Sequence, residues 1–324
     1  MNKMNMLRVY LAITGICLSG VYATHGSDTN LSAASQNQIN WHTFSWHSQD
    51  GNYFENIPHK VMKADFHIGG IPEVQTYIFT LSTPFSLLYD YGYEAMVYRN
   101  PAFATRLESV QKASTMRDRV LTDLELSIDK QILGEENLRI IPTEEATRNS
   151  QIKGELGFGV FHRNRKILLV DNPGTRFACI EELPESIASK VQFVPMKVES
   201  GMLVITVSID GRETEMFFDG TTRPALVVFH NRTFKQLASS QPVPENLLHI
   251  TMNNEFMEIE GYQPDAFIFF NGLPLARYNV YKSGEKAPSG IRGKISQPFF
   301  KDYLMIFDYK NGRFGIVKPE DIDS

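Results

Sequence analysis

A chain of 324 residues, 42% hydrophobic and 21% charged, carries enough apolar material for one large body or two ordinary domains, and its composition is that of a globular protein. A formal net charge of -5 argues against nucleic acid as a partner, because binding phosphates calls for a basic surface. The 22 phenylalanines and 13 tyrosines favour strands over helices.

In chain order, Lys3 and Arg8 lead into a largely apolar run from Val9 to Tyr22, and Val21-Tyr22-Ala23 offers small residues where a signal peptidase reads. The run is short for a membrane span, and no other stretch could cross a bilayer. A lipid anchor would use Cys17, but Ile16 stands where a small residue is needed. Residues 1–23 are therefore read as a signal peptide, and the protein as periplasmic or secreted. Losing Lys3 and Arg8 leaves 30 basic residues against 37 acidic ones, a net charge of -7. Cys179 is then the one cysteine left, so neither an intrachain disulfide nor a thiolate metal site can form. It lies in an apolar run, Arg176 to Ile180, where a buried inert thiol is expected.

Residues 24–52 are polar, and the Trp41-His42 and Trp46-His47 pairs are read as strand residues, since two histidines without a third ligand do not make a metal site. Val61 to Tyr89 reads as strand, Gly69-Gly70 turn, strand. Pro101 and the spacing of Phe103, Leu107, Val110 and Met116 predict a helix over Asn100 to Val120. Short strands are expected at Leu124 to Ile128 and Leu138 to Ile141. Glu181 to Lys190 is the link between two halves, 53–190 and 191–324. In the second half Leu203, Ile205, Val207 and Ile209 alternate with polar residues, and Asp210-Gly211 supplies a tight-turn signal. Met216-Phe217-Phe218 then runs into Asp219, followed by Gly220, Thr221 and Thr222. A carboxylate at the end of a buried strand is costly unless it has a purpose. A short helix over Thr233 to Ser239 and several further strands follow.

The two halves share a pattern. Ile152-x-Gly154-x-Leu156-Gly157 matches Ile291-x-Gly293-x-Ile295-Ser296, with Phe161 and Phe300 at equal distance beyond. Each then enters four apolar residues and an Asp, Asp171 or Asp308, and five residues later an Arg-Phe pair, Arg176-Phe177 or Arg313-Phe314. So many ordered matches indicate a duplicated unit.

On these residues the chain resembles the pepsin-like and retropepsin-like aspartic proteases. The resemblance implies a mainly β, bilobed fold of two duplicated lobes with few short helices, each lobe offering a loop for a catalytic Asp, with the Gly154 and Gly293 strands crossing behind. It departs from that family at the loops. Asp219-Gly220-Thr221 inverts the usual order after the Asp. In the first half, Phe79-Thr80-Leu81-Ser82-Thr83-Pro84 puts Thr80, or on a shifted alignment Ser82, where the second Asp would stand. Aspartic proteolysis needs two carboxylates about 3 Å apart sharing a proton, and one carboxylate cannot act as both base and acid. Asp65 and Asp90 are the substitutes near enough in sequence to weigh. A dimer pairing two Asp219 residues is disfavoured, because two fused copies already satisfy the twofold packing. Ser82 has His67 nearby, yet no nucleophile-elbow pattern.

The expectation is thus an exported pepsin-like protein without the catalytic pair. Its inter-lobe cleft would take an extended peptide or protein, with Ser82, Thr83, Asp219, Gly220, Thr221 and Thr222 as candidate site residues and no cofactor or metal. The competing expectations are an active aspartic endopeptidase in which Asp219 pairs with another carboxylate, and a structural protein whose cleft is vestigial.

Overall fold

The computed structural model describes residues 39–48, 60–111, 117–143, 151–220, 226–252, 255–283 and 290–322. The proposed signal peptide, Cys17, Thr221 and Thr222 lie outside them. Strands β1 (His42–Thr43), β2 (Ser45–Ser48), β3 (Lys60–Ile68), β4 (Gln75–Phe79) and β5 (Ser86–Tyr89) lead into helix α1 (Asp90–Arg99). A 3-10 turn over Pro101–Arg106 precedes β6 (Leu107–Gln111), β7 (Arg117–Ile128), β8 (Gln131–Ile141), β9 (Ile152–Leu156), helix α2 (Gly159–Arg163), β10 (Ile167–Asp171) and β11 (Arg176–Ile180). Helix α3 (Glu185–Ala188) then separates this series from β12 (Gln192–Glu199), β13 (Met202–Ile209), β14 (Arg212–Asp219) and β15 (Leu226–Val228). Helix α4 (Asn231–Leu237) follows, with β16 (Ala238–Met252), β17 (Glu255–Pro264), β18 (Ile268–Phe270), β19 (Leu273–Pro274) and β20 (Val280–Lys282). Last come β21 (Ile291–Ser296), β22 (Leu304–Asp308) and β23 (Arg313–Val317). The protein is mainly β with a few short helices, and no helix among the described residues is long and apolar enough to cross a membrane.

The helix expected over Asn100 to Val120 is not there. The chain forms a 3-10 turn and then β6, which pairs antiparallel with β7 from Leu107 opposite Leu121 to Gln111 opposite Arg117. A ladder supplied by the long β7–β8 hairpin overrides a local helical spacing, as tertiary pairing commonly does. The helix sits one segment earlier, at Asp90–Arg99, where the Asp90 carboxylate accepts the Tyr91 amide at 2.8 Å. It stops at Asn100, because a residue before proline is pushed out of the α region. The expected strands at Leu124 to Ile128 and Leu138 to Ile141 fall within that longer hairpin, the first at its turn end and the second at its open end.

The pairing pattern of the first series recurs in the second. β4 runs parallel to β9 as β14 does to β21, and β9 is antiparallel to β5 as β21 is to β15. β5 is parallel to β8 as β15 is to β20, and β8 is antiparallel to β7 as β20 is to β17. In the first series a β3–β7 pairing closes six strands into a barrel. The aromatic-rich core runs through both series, with Phe66, Phe79 and Phe177 packed in one and Phe218, Phe300, Phe307 and Phe314 in the other.

The repeated residues have matching duties. A Cβ at Gly154 would overlap the Leu87 carbonyl oxygen, and one at Gly293 the Val227 carbonyl oxygen, so each β9-type strand passes its β5-type neighbour too closely for a side chain. Asp171 faces Arg176 across the β10–β11 hairpin and accepts its Nε at 2.7 Å, and Asp308 does the same for Arg313 at 2.7 Å. Asp171 also takes the Gly174 amide at 2.9 Å, and Asp308 the Asn311 amide at 3.0 Å, which fixes both turns. The spacing of five residues from Asp to Arg is thus the span of a hairpin. Asp210 and Gly211 take φ of 49° and 72° in the β13–β14 turn, as an Asp-Gly pair does in a tight hairpin.

The two series meet where β10 and β22 pair antiparallel, symmetrically about Leu169 opposite Ile306. The local order is β1-β11-β10-β22-β23-β12, so the strand at the start of each series covers the far edge of its own hairpin.

Cys179 is buried and unbridged on β11, and burial pushes its thiol up to about 12. Nearby Lys166 opposes that shift and Glu181 adds to it. At pH 8 such a thiol is ionised to roughly one part in 10⁴, since each unit of pKa is a factor of ten. Iodoacetamide should leave the Cys179 peptide unmodified in the native protein and alkylate it fully in denaturant. Rapid native labelling of that peptide would contradict this placement.

Candidate functional site

The two loops that follow β4 and β14 meet. Phe218 and Asp219 stand opposite Ile295 and Ser296 on β21, and Phe79 stands opposite Leu156 on β9, with the Thr80 amide donating to the Leu156 carbonyl at 2.9 Å. Thr80 therefore holds the ladder position that Asp219 holds in the second series. Its hydroxyl oxygen accepts the amide of Ser82, two residues on, at 3.1 Å.

Ser82 is a side chain that crosses between the described parts of the loops. Its hydroxyl donates to Asp219 Oδ1 at 3.1 Å, joining residues 137 apart in sequence. Beside this bond the backbones touch: a Cβ at Gly220 would stand 2.7 Å from Leu81 Cβ. Thr80, Ser82, Thr83, Asp219 and Gly220 are all partly exposed, while Leu81 is fully buried beneath them. The pair thus sits on a packed base and is open to solvent.

Asp65 and Asp90 are engaged elsewhere. Asp65, on β3, accepts the Thr76 hydroxyl at 2.6 Å, and Asp90 accepts the Tyr91 amide and the Thr143 hydroxyl at the start of α1. The group that approaches Asp219 from the first loop is a hydroxyl.

The first loop is braced from behind. Thr83 accepts the Phe85 amide on its hydroxyl oxygen at 3.2 Å and the Phe158 amide on its carbonyl at 3.0 Å. Gly157 donates its amide to the Ser86 hydroxyl oxygen at 3.1 Å. A Cβ at Gly157 would overlap the Thr83 carbonyl oxygen, so glycine is required there. Ser86 in turn interacts with the buried Glu136, which pairs with Arg163 of α2 and takes the Asn137 amide at 2.8 Å. Burial raises the Glu136 carboxyl above the usual carboxylate range, while Arg163, the Asn137 amide and Ser86 pull it back in part. On the other face of β9, burial likewise raises Glu155, against the pull of the Tyr89 hydroxyl at 3.2 Å.

Just past Gly157 and Ser296 the two series touch again. Phe158 stacks on Tyr309 with centroids 6.0 Å apart, and Gln297 donates to Asn172 at 2.7 Å. These contacts occupy matching places in the repeat, one apolar and one polar. Leu81, Ser86 and Glu136 were not legible as parts of the site. The signals for them are weak: Leu81 is an apolar residue between two hydroxyls, and Glu136 is an acid at the buried phase of a strand.

No protein-family model and no curated protein matches this sequence.

Proposed function

We propose that the protein is a pepsin-like body of two lobes that has lost proteolytic chemistry and keeps an inter-lobe cleft for extended peptide. The observation that carries this reading is the hydroxyl-to-carboxylate pair, Ser82 on Asp219, formed where two loops of a duplicated pairing pattern meet. Thr80 at the ladder position equivalent to Asp219 replaces the second carboxylate of an aspartic protease with a group that cannot share its proton in the required way. A hydroxyl of ordinary acidity neither accepts a proton from water nor delivers one to a peptide carbonyl at useful rates. Strands β6 and β16 lie at the ends of their sheet orders, in equivalent places within the repeat, and an edge ladder is what an extended peptide adds to. Export from the cytoplasm belongs to the same proposal and rests on the Lys3, Arg8 and Val21-Tyr22-Ala23 pattern.

Two measurements test it. On a peptide library from about pH 3 to about pH 7, the protein should show no pepstatin-sensitive turnover, because losing the coordinated acid and base removes about 10²–10⁴-fold for each step. Turnover by the wild type that vanishes in Asp219→Asn would make it a peptidase instead. The same library, displayed and panned against the protein, should enrich extended sequences, and failure to enrich any would leave the cleft without its assigned role.

A further inference from the structure

We infer that Glu136 is a positioning residue for the first site loop, acting through α2, and that a proton on its carboxyl releases α2 from the barrel. This gives the loop junction a response to acid that does not depend on what the cleft binds.

Helix α2 has little to hold it by itself. It is five residues long, and Phe158 at its start supplies no capping side chain. A helix so short is marginal without tertiary contacts. On one side it lies directly on the first loop. The Phe158 amide donates to the Thr83 carbonyl at 3.0 Å, and a Cβ at Gly159 would overlap the Pro84 carbonyl oxygen. On the other side it reaches the second series, where Phe158 stacks on Tyr309 and Arg165 Nη2 donates to the Lys310 carbonyl at 3.0 Å. Its tie to the barrel wall is the ion pair in which Arg163 Nη2 donates to Glu136 Oε1.

Glu136 gathers two lines of support at one carboxyl. It is 3% exposed and stands opposite Leu124 of β7. The oxygen that takes Arg163 also takes the Asn137 amide at 2.8 Å. Ser86, whose hydroxyl oxygen accepts the Gly157 amide, draws on the same carboxyl. Glu136 thus holds α2 directly and, by way of Gly157, the strand end from which α2 starts. Ionised, it holds Arg163 by a charge-assisted bond, about twice as strong as a neutral one. Protonated, it loses that advantage. The Arg163 side chain is 47% exposed, so it can turn to water without leaving a buried charge behind.

The sign of the response follows. Burial raises the Glu136 carboxyl above the usual carboxylate range, so its proton arrives in mild acid, and Arg163 is the strongest opposing influence. Since Arg163 disfavours the proton, the proton must by linkage disfavour Arg163. The fold as a whole responds the other way. A carboxyl raised in the folded state costs stability when ionised, and that cost is lifted as pH falls through its folded value. Acid therefore loosens α2 with no loss of global stability from this group. Other groups nearby titrate too. Burial and then Arg163 push the His162 imidazole down from its ordinary range, and burial raises Glu155 on β9. Glu135 on β8 and Asp123 on β7 are exposed, and Arg139 lies over the Phe85 ring.

The test is hydrogen exchange of the full chain, read over residues 157–166 and corrected for the intrinsic rate at each pH. The Phe158, Phe161 and His162 amides there are hydrogen-bonded. From about pH 7.5 to about pH 5, still above the usual glutamate value, their protection relative to Leu304–Asp308 should fall about five- to tenfold, the scale of trading a charge-assisted bond for a neutral one. Glu136→Gln should show the lower protection at both pH values, with a denaturant midpoint at neutral pH no lower than wild type. Arg163→Met, which keeps the carboxyl and removes its cation, should lose the pH dependence as well. Wild-type protection that does not change with pH would overturn the inference. So would a change that persists in Glu136→Gln, which would assign it to His162 or Glu155. A Glu136→Gln protein that fails to fold, or that is as protected as wild type at neutral pH, would overturn it too.

Discussion

Gly154→Ala is expected to destabilise the protein by at least about 3 kcal/mol, a cost at the upper end of what overpacking a core imposes. The methyl group would enter the Leu87 carbonyl oxygen, and that oxygen belongs to the ladder in which Leu88 faces Gly154. Neither backbone can retreat without breaking the β5–β9 or the β5–β8 pairing. A side-chain obstacle would rotate aside; a carbonyl in a three-strand ladder does not. Gly293→Ala should cost a similar amount, because its methyl would enter the Val227 carbonyl in the equivalent ladder. Gly272→Ala is the control. Its φ is 86° but nothing lies within 4 Å of the added carbon, so strain alone applies, about 1–2 kcal/mol. Melting should therefore rank Gly154→Ala and Gly293→Ala together and below Gly272→Ala, by at least about 2–4 °C. A Gly154→Ala protein that melts with the wild type would refute the close approach, and unequal costs at the two positions would weaken the duplication.

The second large effect concerns the buried hairpin acids. Asp308 is fully buried and accepts Arg313 Nε, the Asn311 amide at 3.0 Å and the Asn311 side chain at 2.8 Å. Asp308→Ala strands a cation and two amide donors at once. Breaking a buried pair costs about 3–5 kcal/mol, and the partial exposure of Arg313 moves the expectation to the lower end. Asp171→Ala removes the matching contacts to Arg176 and Gly174, with a comparable loss. The two acids sit at opposite ends of the β10–β22 ladder, Asp171 opposite Leu304 and Asp308 opposite Ile167, and share no partner. Their costs should add, and the double variant should fail to fold at ordinary temperature. Denaturant melts that place Asp308→Ala within about 0.5 kcal/mol of wild type would show the pair to be ornamental.

Both effects concern residues whose spacing was readable in the sequence, for a physical reason. A hairpin acid and its cross-strand arginine are tied by a short loop, so their separation is a fixed number of residues. A glycine forced by close approach recurs wherever the same crossing recurs. The alternation of Leu203 to Ile209 and the Asp210-Gly211 turn were equally local and equally legible. The segment after Pro101 was misread because a 3-10 turn followed by a strand places apolar residues near helical spacing, and what decides between them is β7, whose pairing partner lies on both sides. Helix α1 was missed because its tyrosines and Gly92 make no amphipathic stripe; Asp90 and the Asn100-Pro101 boundary define it instead. At the site, Asp219, Thr80 and Ser82 could each be singled out by their place after a buried strand. That Ser82 rather than Thr80 touches Asp219 depends on the approach of two distant loops, and no pattern within either loop encodes it.

The shared sheet also dictates an order of assembly. Every pairing that closes the six-stranded barrel lies between Lys60 and Leu156, so the barrel can form while later residues are still being made. The sheet of β1, β11, β10, β22, β23 and β12 cannot, because its central ladder needs Leu304–Asp308 and its last hairpin needs Val317. Until then β10 presents a bare edge of Ile167, Leu168, Leu169 and Val170, all apolar and all buried in the finished protein. Long-range pairing of this kind is slow, and an exposed apolar edge invites the wrong neighbour. The interval between making β11 and making β22 is when this chain is most exposed to aggregation.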